Sequence, residues 1–342
     1  MEKKVLHLLA SNSYSGAENV VCNIIENCRD EYDMYYCSRD GAIRDILKQK
    51  NIKFISYSKL TIRNIKKIVR DKQIDIIHAH DFQASFIASF LKKDCKIISH
   101  LHCNYQLLKL KKIVGLTYSI VQKNFSSIIV VSDEILKVAS FGKKIEKKTT
   151  ILPNVVDSNK VIIQSKKFES KKYDLIFLGR LIELKQPLLF IDIVKKLKQK
   201  NSTIQACIVG DGNLYTECEK QIKDNNLNNN IDMLGFQKNP FPYISNSKIA
   251  VLPSKFEGLP MSVIECMILD TIVINSGVGG LKEMYTGYEK YICNNLDEYV
   301  NCISELLKKD KKSYHHDCQK IVHDYINMKD YAKKIKRIYE NI

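Results

Sequence analysis

Two glutamates, Glu257 and Glu265, lie in the segment LPSKFEGLPMSVIEC and have the residue types for sugar chemistry. Glu257 lies in a Gly/Pro-rich loop, and Glu265 lies in a predicted helix that begins near Met261. A loop carboxylate can contact a sugar, a helical carboxylate can accept hydrogen bonds from ribose hydroxyls, and the free N–H groups beside Ser262 can bind phosphate. The alternative for Glu265, an exposed helical carboxylate, is disfavoured by its apolar sequence neighbours. The segment predicts a nucleotide-sugar site.

Two cations follow a predicted buried strand in the segment FLGRLIELKQP. Arg180 and Lys185 stand between that strand and a helix that starts near Pro187. A guanidinium binds phosphate oxygens through its planar fork, and an ammonium binds them as a compact point charge. We expect the two groups to converge on a diphosphate. The alternative is a pair of solvated surface cations.

Two further turns join a predicted strand to a predicted helix through glycine. The segment SNSYSGAEN contains Gly16, and the segment VGDGN contains Gly210 and Gly212. Glycine lets the backbone approach a ligand closely, and the helix that follows favours anions at its first amides. The Gly16 turn taken alone is better explained as a tight structural connection, and the second turn taken alone is weak evidence for a ligand.

The histidines form two H-x-H patterns at the ends of predicted strands, His78 with His80 and His100 with His102. Such a pair can ligate a metal ion, but no carboxylate or cysteine pattern completes a site. We therefore expect no metal centre, and partly buried strand ends are the structural alternative for His78 and His100.

A basic amphipathic segment runs from Leu107 to Lys123, with Lys109, Lys111 and Lys112 among Leu, Ile, Val and Tyr. A helix of this composition can lie on an anionic membrane surface. The alternative is an ordinary domain helix with a solvated basic face.

The composition narrows the class of protein. The net charge of +16 indicates a polyanionic partner, or else compositional drift in a chain rich in Lys, Asn and Ile. The 11 cysteines include no C-x-x-C pair, so we expect buried free thiols rather than disulfides or a zinc site. No apolar run reaches the length of a membrane span, and no signal peptide is recognisable, so we expect a cytoplasmic protein.

Short apolar runs alternate with longer segments of helical period along the whole chain. Many of the runs are entirely apolar, as expected for parallel strands covered by helices on both faces. The predicted helices include Ala17–Cys28, Ile62–Arg70, Pro187–Lys198 and Met261–Leu269. The predicted strands are Lys4–Leu9, Met34–Cys37, Asp75–Ile77, Lys96–His100, Ser127–Val131, Asp174–Leu178, Ile204–Val209, Ile231–Met233, Ile249–Leu252 and Thr271–Ile274.

This order predicts an α/β fold with two doubly wound, Rossmann-like domains that face each other across a cleft. A polar, lysine-rich linker follows Asp157, which sets the domains at residues 1–165 and 166–342. The final helix could return to the N-terminal domain. Ligands bind at the carboxyl ends of parallel strands, where the loops described above lie.

With these motifs in view, the sequence resembles the family-4 retaining glycosyltransferases of the GT-B fold. The resemblance extends over nearly the whole chain and rests on SGAEN, LPNVVD, FLGRLIELK, VGDGN, LGF, PSKFEGLPMSVIE and GVGGLKE. It implies that Arg180 and Lys185 bind the donor diphosphate, that Glu265 holds the ribose and that Glu257 contacts the transferred sugar. His102 would lie near the acceptor or the donor sugar. The further donor-binding positions that it implies are Gly16, Gly210, Phe236, Gly258, Leu259 and Ser262.

The resemblance also implies a metal-independent reaction in which Arg and Lys stabilise the leaving phosphate, with attack on the front face of the sugar. Three positions depart from the family pattern: Ser15 stands before Gly16, Asp270 follows the E-x7-E helix, and Lys282 precedes the last Glu. They lie beside the donor-binding residues, and they put donor preference in doubt more than activity.

The expected function is transfer of a sugar from a nucleotide-sugar, with UDP the commonest donor nucleotide, to a membrane-associated or polysaccharide acceptor. A non-hydrolysing sugar-nucleotide epimerase of the same architecture is one alternative, and the E-x7-E pair argues against it. A basic nucleic-acid-binding protein is the other, but no recognised module or aromatic-rich basic patch supports it.

Overall fold

The computed structural model describes residues 2–12, 16–102, 113–139 and 141–342, and the chain divides into two compact units. The first unit contains Met1–Asn154 together with Met328–Ile342, and the second contains Val155–Asn327. Each unit is built on one parallel β-sheet whose strands alternate with helices along the chain. The α/β class and the two-domain organisation are therefore as the sequence predicts.

The first unit has a seven-stranded sheet in the order β3-β2-β1-β4-β5-β6-β7, and every neighbouring pair is parallel. Its strands are β1 (Lys4–Leu8), β2 (Asp33–Ser38), β3 (Phe54–Ser56), β4 (Ile76–Ala79), β5 (Lys96–Leu101), β6 (Ser127–Val130) and β7 (Thr149–Ile151). The described helices up to β7 are α1 (Gly16–Cys28), α2 (Ile43–Gln49), α3 (Ile62–Lys72), α4 (Phe82–Ala88), α5 (Ile113–Val121), α6 (Asp133–Val138) and α7 (Gly142–Ile145).

The second unit has a five-stranded parallel sheet in the order β10-β9-β8-β11-β12. Its strands are β8 (Tyr173–Leu178), β9 (Ala206–Val209), β10 (Ile231–Gly235), β11 (Ser247–Leu252) and β12 (Ile272–Asn275). Its helices are α8 (Ser158–Ser165), α9 (Pro187–Lys200), α10 (Tyr215–Asp224), α11 (Phe241–Ser245), α12 (Met261–Ile268), α13 (Gly280–Met284), α14 (Leu296–Leu307) and α15 (His315–Val322).

The last helix, α16 (Met328–Glu340), belongs to the first unit although it follows the second in sequence. Its buried residues recur at helical spacing, with Tyr331, Ile335 and Tyr339 on one face. Lys336 pairs with Glu31 beyond the end of α1, with Nζ and Oε1 2.6 Å apart. The chain therefore returns to the first unit at its end.

The apolar runs that predict strands do form them, and those of the inner strands fill the sheet interior. In the middle of β8, Leu175, Ile176 and Phe177 are completely buried. The two strands that the sequence pattern misses, β3 and β7, have three residues each and lie at the two edges of the first sheet. Edge strands bury less surface, so their sequences carry a weaker apolar signal.

The lysine-rich stretch predicted as a linker begins with helix α8, which is a correction to the sequence interpretation. The Asp157 side chain caps this helix by accepting a hydrogen bond from the Lys160 amide at 3.1 Å, and Val161 is buried. The change of unit at residues 154 and 155 precedes α8, whereas the sequence places the boundary after it, at residues 165 and 166.

Candidate active site

The strand order of the second sheet places one crevice at the carboxyl end of its central strand. β8 comes first in sequence, β9 and β10 extend the sheet on one side, and β11 and β12 extend it on the other. Loops after β8 and β11 therefore leave the sheet in different directions, which is where ligands bind in open α/β sheets. These two loops contain Lys185 and Glu257.

Lys185 and Glu257 form a close ion pair at this crevice. The Lys185 Nζ donates to Glu257 Oε1 at 2.6 Å and to Oε2 at 2.8 Å. Only 17% of the Lys185 side chain and 7% of the Glu257 side chain are exposed. The ammonium is thus held by both carboxylate oxygens, which leaves it in a single position.

A second ion pair joins the same two loops at the surface. Lys255 Nζ lies 2.9 Å from Glu183 Oε1, with 49% and 82% of the two side chains exposed. Exposed pairs of this kind contribute little to stability. The two pairs differ in burial, and the exposed pair supplies a control for experiments on Lys185 and Glu257.

Backbone contacts fix the loops around the ion pair. The Lys255 amide donates to the Leu184 carbonyl at 2.8 Å, and the Gly280 amide donates to the Gly258 carbonyl at 2.7 Å. Gly279 has a φ of +60°, and a Cβ there would lie 1.9 Å from the Glu257 carbonyl oxygen. Only glycine allows the β12 loop to approach the Glu257 loop this closely.

Arg180 is exposed directly after β8, and Gly210 packs against the same loop. A Cβ on Gly210 would lie 1.9 Å from the Gly179 carbonyl oxygen, so this glycine permits contact between the loops after β8 and β9. Gly212 has the same function, since its Cβ would lie 2.4 Å from the Leu181 carbonyl oxygen. Gly210 therefore shapes the site through the backbone.

Glu265 and Ser262 lie one turn apart on α12 and therefore on one side of the helix. Burial raises the pKa of the Glu265 carboxyl to about 7, although part of the residue remains exposed. No hydrogen-bond or ion-pair partner for this carboxylate is found within the described ranges. A carboxyl group in this state can accept hydrogen bonds from hydroxyl groups.

The other predicted donor-binding residues have different environments. Phe236 directly follows β10 and is 60% exposed, whereas Leu259 is buried. Gly16 is the first residue of α1 in the first unit, and a Cβ there would meet no atom within 4 Å. The structure thus brings Lys185, Glu257 and Gly258 together, with Arg180 and Gly210 in adjoining loops.

His102 belongs to a group of five buried or half-buried histidines in the first unit. They lie on β1, on β4 and in the residue after it, and on β5 and in the residue after it. They share one face of the sheet because their positions alternate along each strand and His7 is in register with His78. We name the group the histidine cluster, and it consists of His7, His78, His80, His100 and His102.

Hydrogen bonds connect the histidine cluster in two chains. His80 lies between His7 and His102, with ring nitrogens 2.9 Å and 3.1 Å away. His78 lies between His100, at 3.2 Å, and the Tyr339 hydroxyl of α16, at 2.8 Å. Because alternate residues of a strand share a face, the two H-x-H patterns and His7 could have indicated the cluster.

Burial keeps the cluster uncharged at neutral pH. It lowers the pKa of His7 and of His102 to about 3, and it lowers the pKa values of His78, His80 and His100 well below 6.5. Two groups, His7 with His78 and His80, and His80 with His100 and His102, bring three ring nitrogens within 4.8 Å of one another. The sequence analysis considered only carboxylates and cysteines as further ligands, whereas in each of these groups the third ring nitrogen comes from another histidine.

Comparison with known proteins identifies the family. The sequence model described as Glycosyltransferase Family 4 matches residues 14–160, and that described as Glycosyl transferases group 1 matches residues 158–321. The chain belongs to the group 1, family 4 glycosyltransferases. Its two parallel-sheet units have the GT-B fold of this family, as the sequence resemblance implies.

Individual relatives agree with this assignment. An uncharacterized glycosyltransferase of Methanocaldococcus jannaschii is 31% identical over 255 residues, which are 68% of this chain and 61% of that protein. The capsular polysaccharide biosynthesis glycosyltransferase CapH of Staphylococcus aureus is 24% identical, over 80% of this chain and 81% of its own length. The crystal structure of Anabaena HepE with UDP and glucose superposes with a TM-score of 0.86 at 18% identity, covering 99% of this chain and 100% of HepE.

Proposed function

We propose that this protein transfers a sugar, with retention of anomeric configuration, from a UDP-sugar to a polysaccharide or lipid-linked acceptor, without a metal ion. The observation that carries the proposal is the buried Lys185–Glu257 pair at the crevice of the second sheet. A fixed ammonium in the same loop as the exposed Arg180 can neutralise charge that develops on a leaving diphosphate. Cations that are already held in position stabilise this charge without having to reorganise during the reaction.

The remaining residues of the site fit the parts of a nucleotide-sugar. Glu257 holds Lys185 and is proposed to contact a hydroxyl of the transferred sugar. Glu265 and the amides near Ser262 suit the ribose and phosphate, and the Phe236 backbone suits the base. His102, a neutral imidazole, is proposed to hydrogen-bond the transferred sugar or the acceptor.

Retention follows when attack and departure occur on the same face of the sugar. The bond between the anomeric carbon and the diphosphate oxygen breaks as the acceptor oxygen forms its bond to that carbon. The acceptor proton passes to the leaving diphosphate, whose charge Lys185 and Arg180 stabilise. The fixed ammonium is therefore proposed to replace the metal ion that other glycosyl transfers require.

Two relatives support the substrate classes. HepE binds UDP and glucose in a structure of the same fold, which favours a uridine diphosphate donor. CapH takes part in capsular polysaccharide biosynthesis, which favours a surface glycan as acceptor.

A thermal-shift screen against UDP, GDP, ADP and CDP and their sugars tests the donor. A ligand at a hundred times its Kd stabilises the native state by about 2.7 kcal/mol, so UDP should raise the Tm measurably. Lys185→Ala should abolish the shift, and Lys255→Ala, in the exposed pair, should retain it. A Lys185→Ala variant that binds UDP with unchanged affinity would rule out the diphosphate role.

Incubation of the protein with a labelled UDP-sugar alone separates transfer from epimerisation. A transferase leaves the configuration of that sugar unchanged until an acceptor is added. Formation of an epimeric UDP-sugar without acceptor would assign the chain to the epimerase alternative.

The surface around α5 suits contact with an anionic membrane. The apolar side chains of Leu116 and Ile120 on α5 are exposed, and so is that of Phe90. The turn that contains Phe90 lies against the end of α5, where the Asn124 side chain donates a hydrogen bond to the Ser89 carbonyl at 3.2 Å. Lys92 and Lys123 are exposed beside them. Residues 107–112 of the predicted amphipathic segment lie outside the described residues. In the part of the chain that is described, no helix is long and apolar enough to cross a membrane.

We therefore propose that this surface binds the membrane peripherally, where a lipid-linked acceptor would be found. Sedimentation with phosphatidylglycerol-containing vesicles tests it. Leu116→Ser should reduce binding severalfold, because it removes an apolar side chain that is 62% exposed. Ile163→Ser, at a position in α8 that is 59% exposed, is the matched control. Equal losses in both variants would show that the α5 surface is not the binding surface.

A further inference from the structure

The histidine cluster contains more imidazoles than a single substrate contact requires. His80 and His100 are almost completely buried, and His102 keeps partial exposure at the end of the row. The Nε2 atom of His100 is buried without a hydrogen-bond partner among the described residues. A buried polar atom without a partner costs free energy unless something binds it.

The spacing of these rings matches the ligands of a transition-metal ion. One ring nitrogen from each of His80, His100 and His102 lies within 4.8 Å of the others, and His80 Nδ1 and His102 Nε2 are 3.1 Å apart. Two imidazoles bound to one tetrahedral zinc ion, each at about 2.0–2.1 Å, have nitrogens roughly 3.3 Å apart. Small side-chain movements would bring all three nitrogens to that separation.

The chemistry of the donors selects the kind of ion. Neutral imidazole nitrogens suit Zn²⁺, Cu²⁺ and Ni²⁺, whereas Mg²⁺, Ca²⁺ and Mn²⁺ prefer carboxylate, carbonyl and water oxygens. Three histidines complete the protein part of a tetrahedral site and leave its fourth position open. The exposed side of His102 is where a water molecule or an anion could take that position.

We propose that His80, His100 and His102 form a binding site for one divalent transition-metal ion, with Zn²⁺ as the representative ligand. The other trio, His7 with His78 and His80, is buried at all three positions and offers no exposed side for entry. Because His80 belongs to both trios, its bond to the ion at Nδ1 leaves Nε2 for its hydrogen bond with His7.

Occupation of this site has a consequence for transfer, which rests on the function proposed above. An ion bound to His102 Nε2 removes that atom from contact with sugar or acceptor. Zn²⁺ is therefore expected to inhibit transfer reversibly, although the reaction itself uses no metal.

Titration of the chelator-treated full chain, without a histidine tag, with Co²⁺ and Zn²⁺ tests the site. The wild type should bind one equivalent of Co²⁺ and develop the visible absorption of a tetrahedral complex. His100→Gln should weaken binding at least a hundredfold, because it removes a ligand. His7→Gln should weaken it by about tenfold to a hundredfold, less than His100→Gln, because it changes only a hydrogen bond to a ligand.

Two results would overturn the assignment. A larger loss with His7→Gln than with His100→Gln would place the ion in the buried trio. A loss with His315→Gln, whose exposed ring pairs with Asp270 in the second unit, would indicate a surface site.

X-ray absorption on zinc-loaded wild-type protein needs no variant and is unaffected by folding defects. It should show three imidazole nitrogens at about 2.0 Å from the ion. A shell of sulfur atoms would assign the zinc to the cysteines and exclude the histidine site.

Activity measurements separate this proposal from the proposed function. If Zn²⁺ inhibits transfer, a chelator reverses the inhibition and His100→Gln reduces it, the metal site and the proposed function are both supported. Stoichiometric binding to the three histidines with no detectable sugar transfer under any condition would keep the metal site and reject the proposed function. Full transfer activity in zinc-loaded protein would reject the blocking of His102.

Discussion

The carboxyl ends of the two parallel sheets hold their polar groups in opposite ways. In the second unit, Lys185 and Glu257 are charged groups with little exposure, and each is the partner of the other. In the first unit, five imidazoles are packed together in neutral form, and they are connected by hydrogen bonds and by ring stacking. A buried charge needs an opposite charge, whereas a neutral ring needs only a donor or an acceptor. The first arrangement suits a diphosphate, and the second suits hydroxyl groups or a metal ion.

The largest expected effect comes from removing the charge of Glu257. Glu257→Gln keeps the shape of the side chain but leaves the Lys185 ammonium without its carboxylate. We expect kcat/KM to fall by about a hundredfold to a thousandfold, the magnitude found when a positioned electrostatic group is lost. Initial rates with the donor found in the melting screen measure this effect.

Glu183→Gln is the control for that experiment, since it removes the carboxylate of the exposed pair between the same two loops. We expect less than a threefold change in rate. Similar losses in the two variants would mean that the buried and exposed pairs do not differ in function.

Acid should destabilise the first unit in chelator-treated protein. The cluster histidines have lower pKa values in the folded state than in the unfolded state, so the unfolded chain binds more protons below about pH 6.5. Stability is therefore lost as the pH falls, at up to about 1.4 kcal/mol per pH unit for each histidine. Between pH 7 and pH 5.5 we expect a loss on the order of 1 kcal/mol for each histidine that stays neutral in the folded state.

Hydrogen exchange followed by mass spectrometry can locate this loss, after correction for the intrinsic pH dependence of exchange. Peptides from β1, β4 and β5 should lose protection at pH 5.5, and peptides from β8 and β11 should lose much less. Equal protection of β4 at both pH values would show that the imidazoles are not held in neutral form.

Glu265→Gln should change the stability of the second unit by a smaller amount. Its effect should appear as the pH rises, whereas the histidine effect appears as the pH falls. The pKa of Glu265 is raised to about 7 in the folded state, so its ionisation costs stability as the pH rises from about 4.5 through 7. Because part of the residue is exposed, we expect the variant to stabilise the second unit by about 1 to 2 kcal/mol at pH 8. At pH 4.5 we expect almost no effect. Protection factors of β8 and β11 at the two pH values measure the difference, and destabilisation at pH 8 would contradict the buried carboxyl.

The smallest expected effect is that of a chelator on transfer. If Lys185 and Arg180 supply the positive charge, EDTA should leave the initial rate unchanged or, by removing inhibitory zinc, raise it. Loss of activity that Mg²⁺ or Mn²⁺ restores would show that a metal ion takes part in the reaction.

Much of the site is predictable because its loops directly follow strands that are easy to recognise. The apolar runs of β8 and β11 predict strands, and a parallel sheet brings their carboxyl ends to one edge. Arg180, Lys185, Glu257 and Glu265 therefore emerge from residue type and position alone. The ion pair between Lys185 and Glu257 cannot be predicted in this way. The two residues are 72 positions apart and meet only because β8 and β11 are neighbours in the sheet.

The sequence by itself determined the α/β class, ten of the twelve described strands and the residue types proposed to bind phosphate and sugar, because these depend on local apolar pattern and on side-chain type. Only the tertiary structure decided which groups are partners. It paired Lys185 with Glu257, joined His7 to the two H-x-H patterns and returned α16 to the first unit. Strand order and burial govern these contacts, and both depend on residues that are distant in sequence.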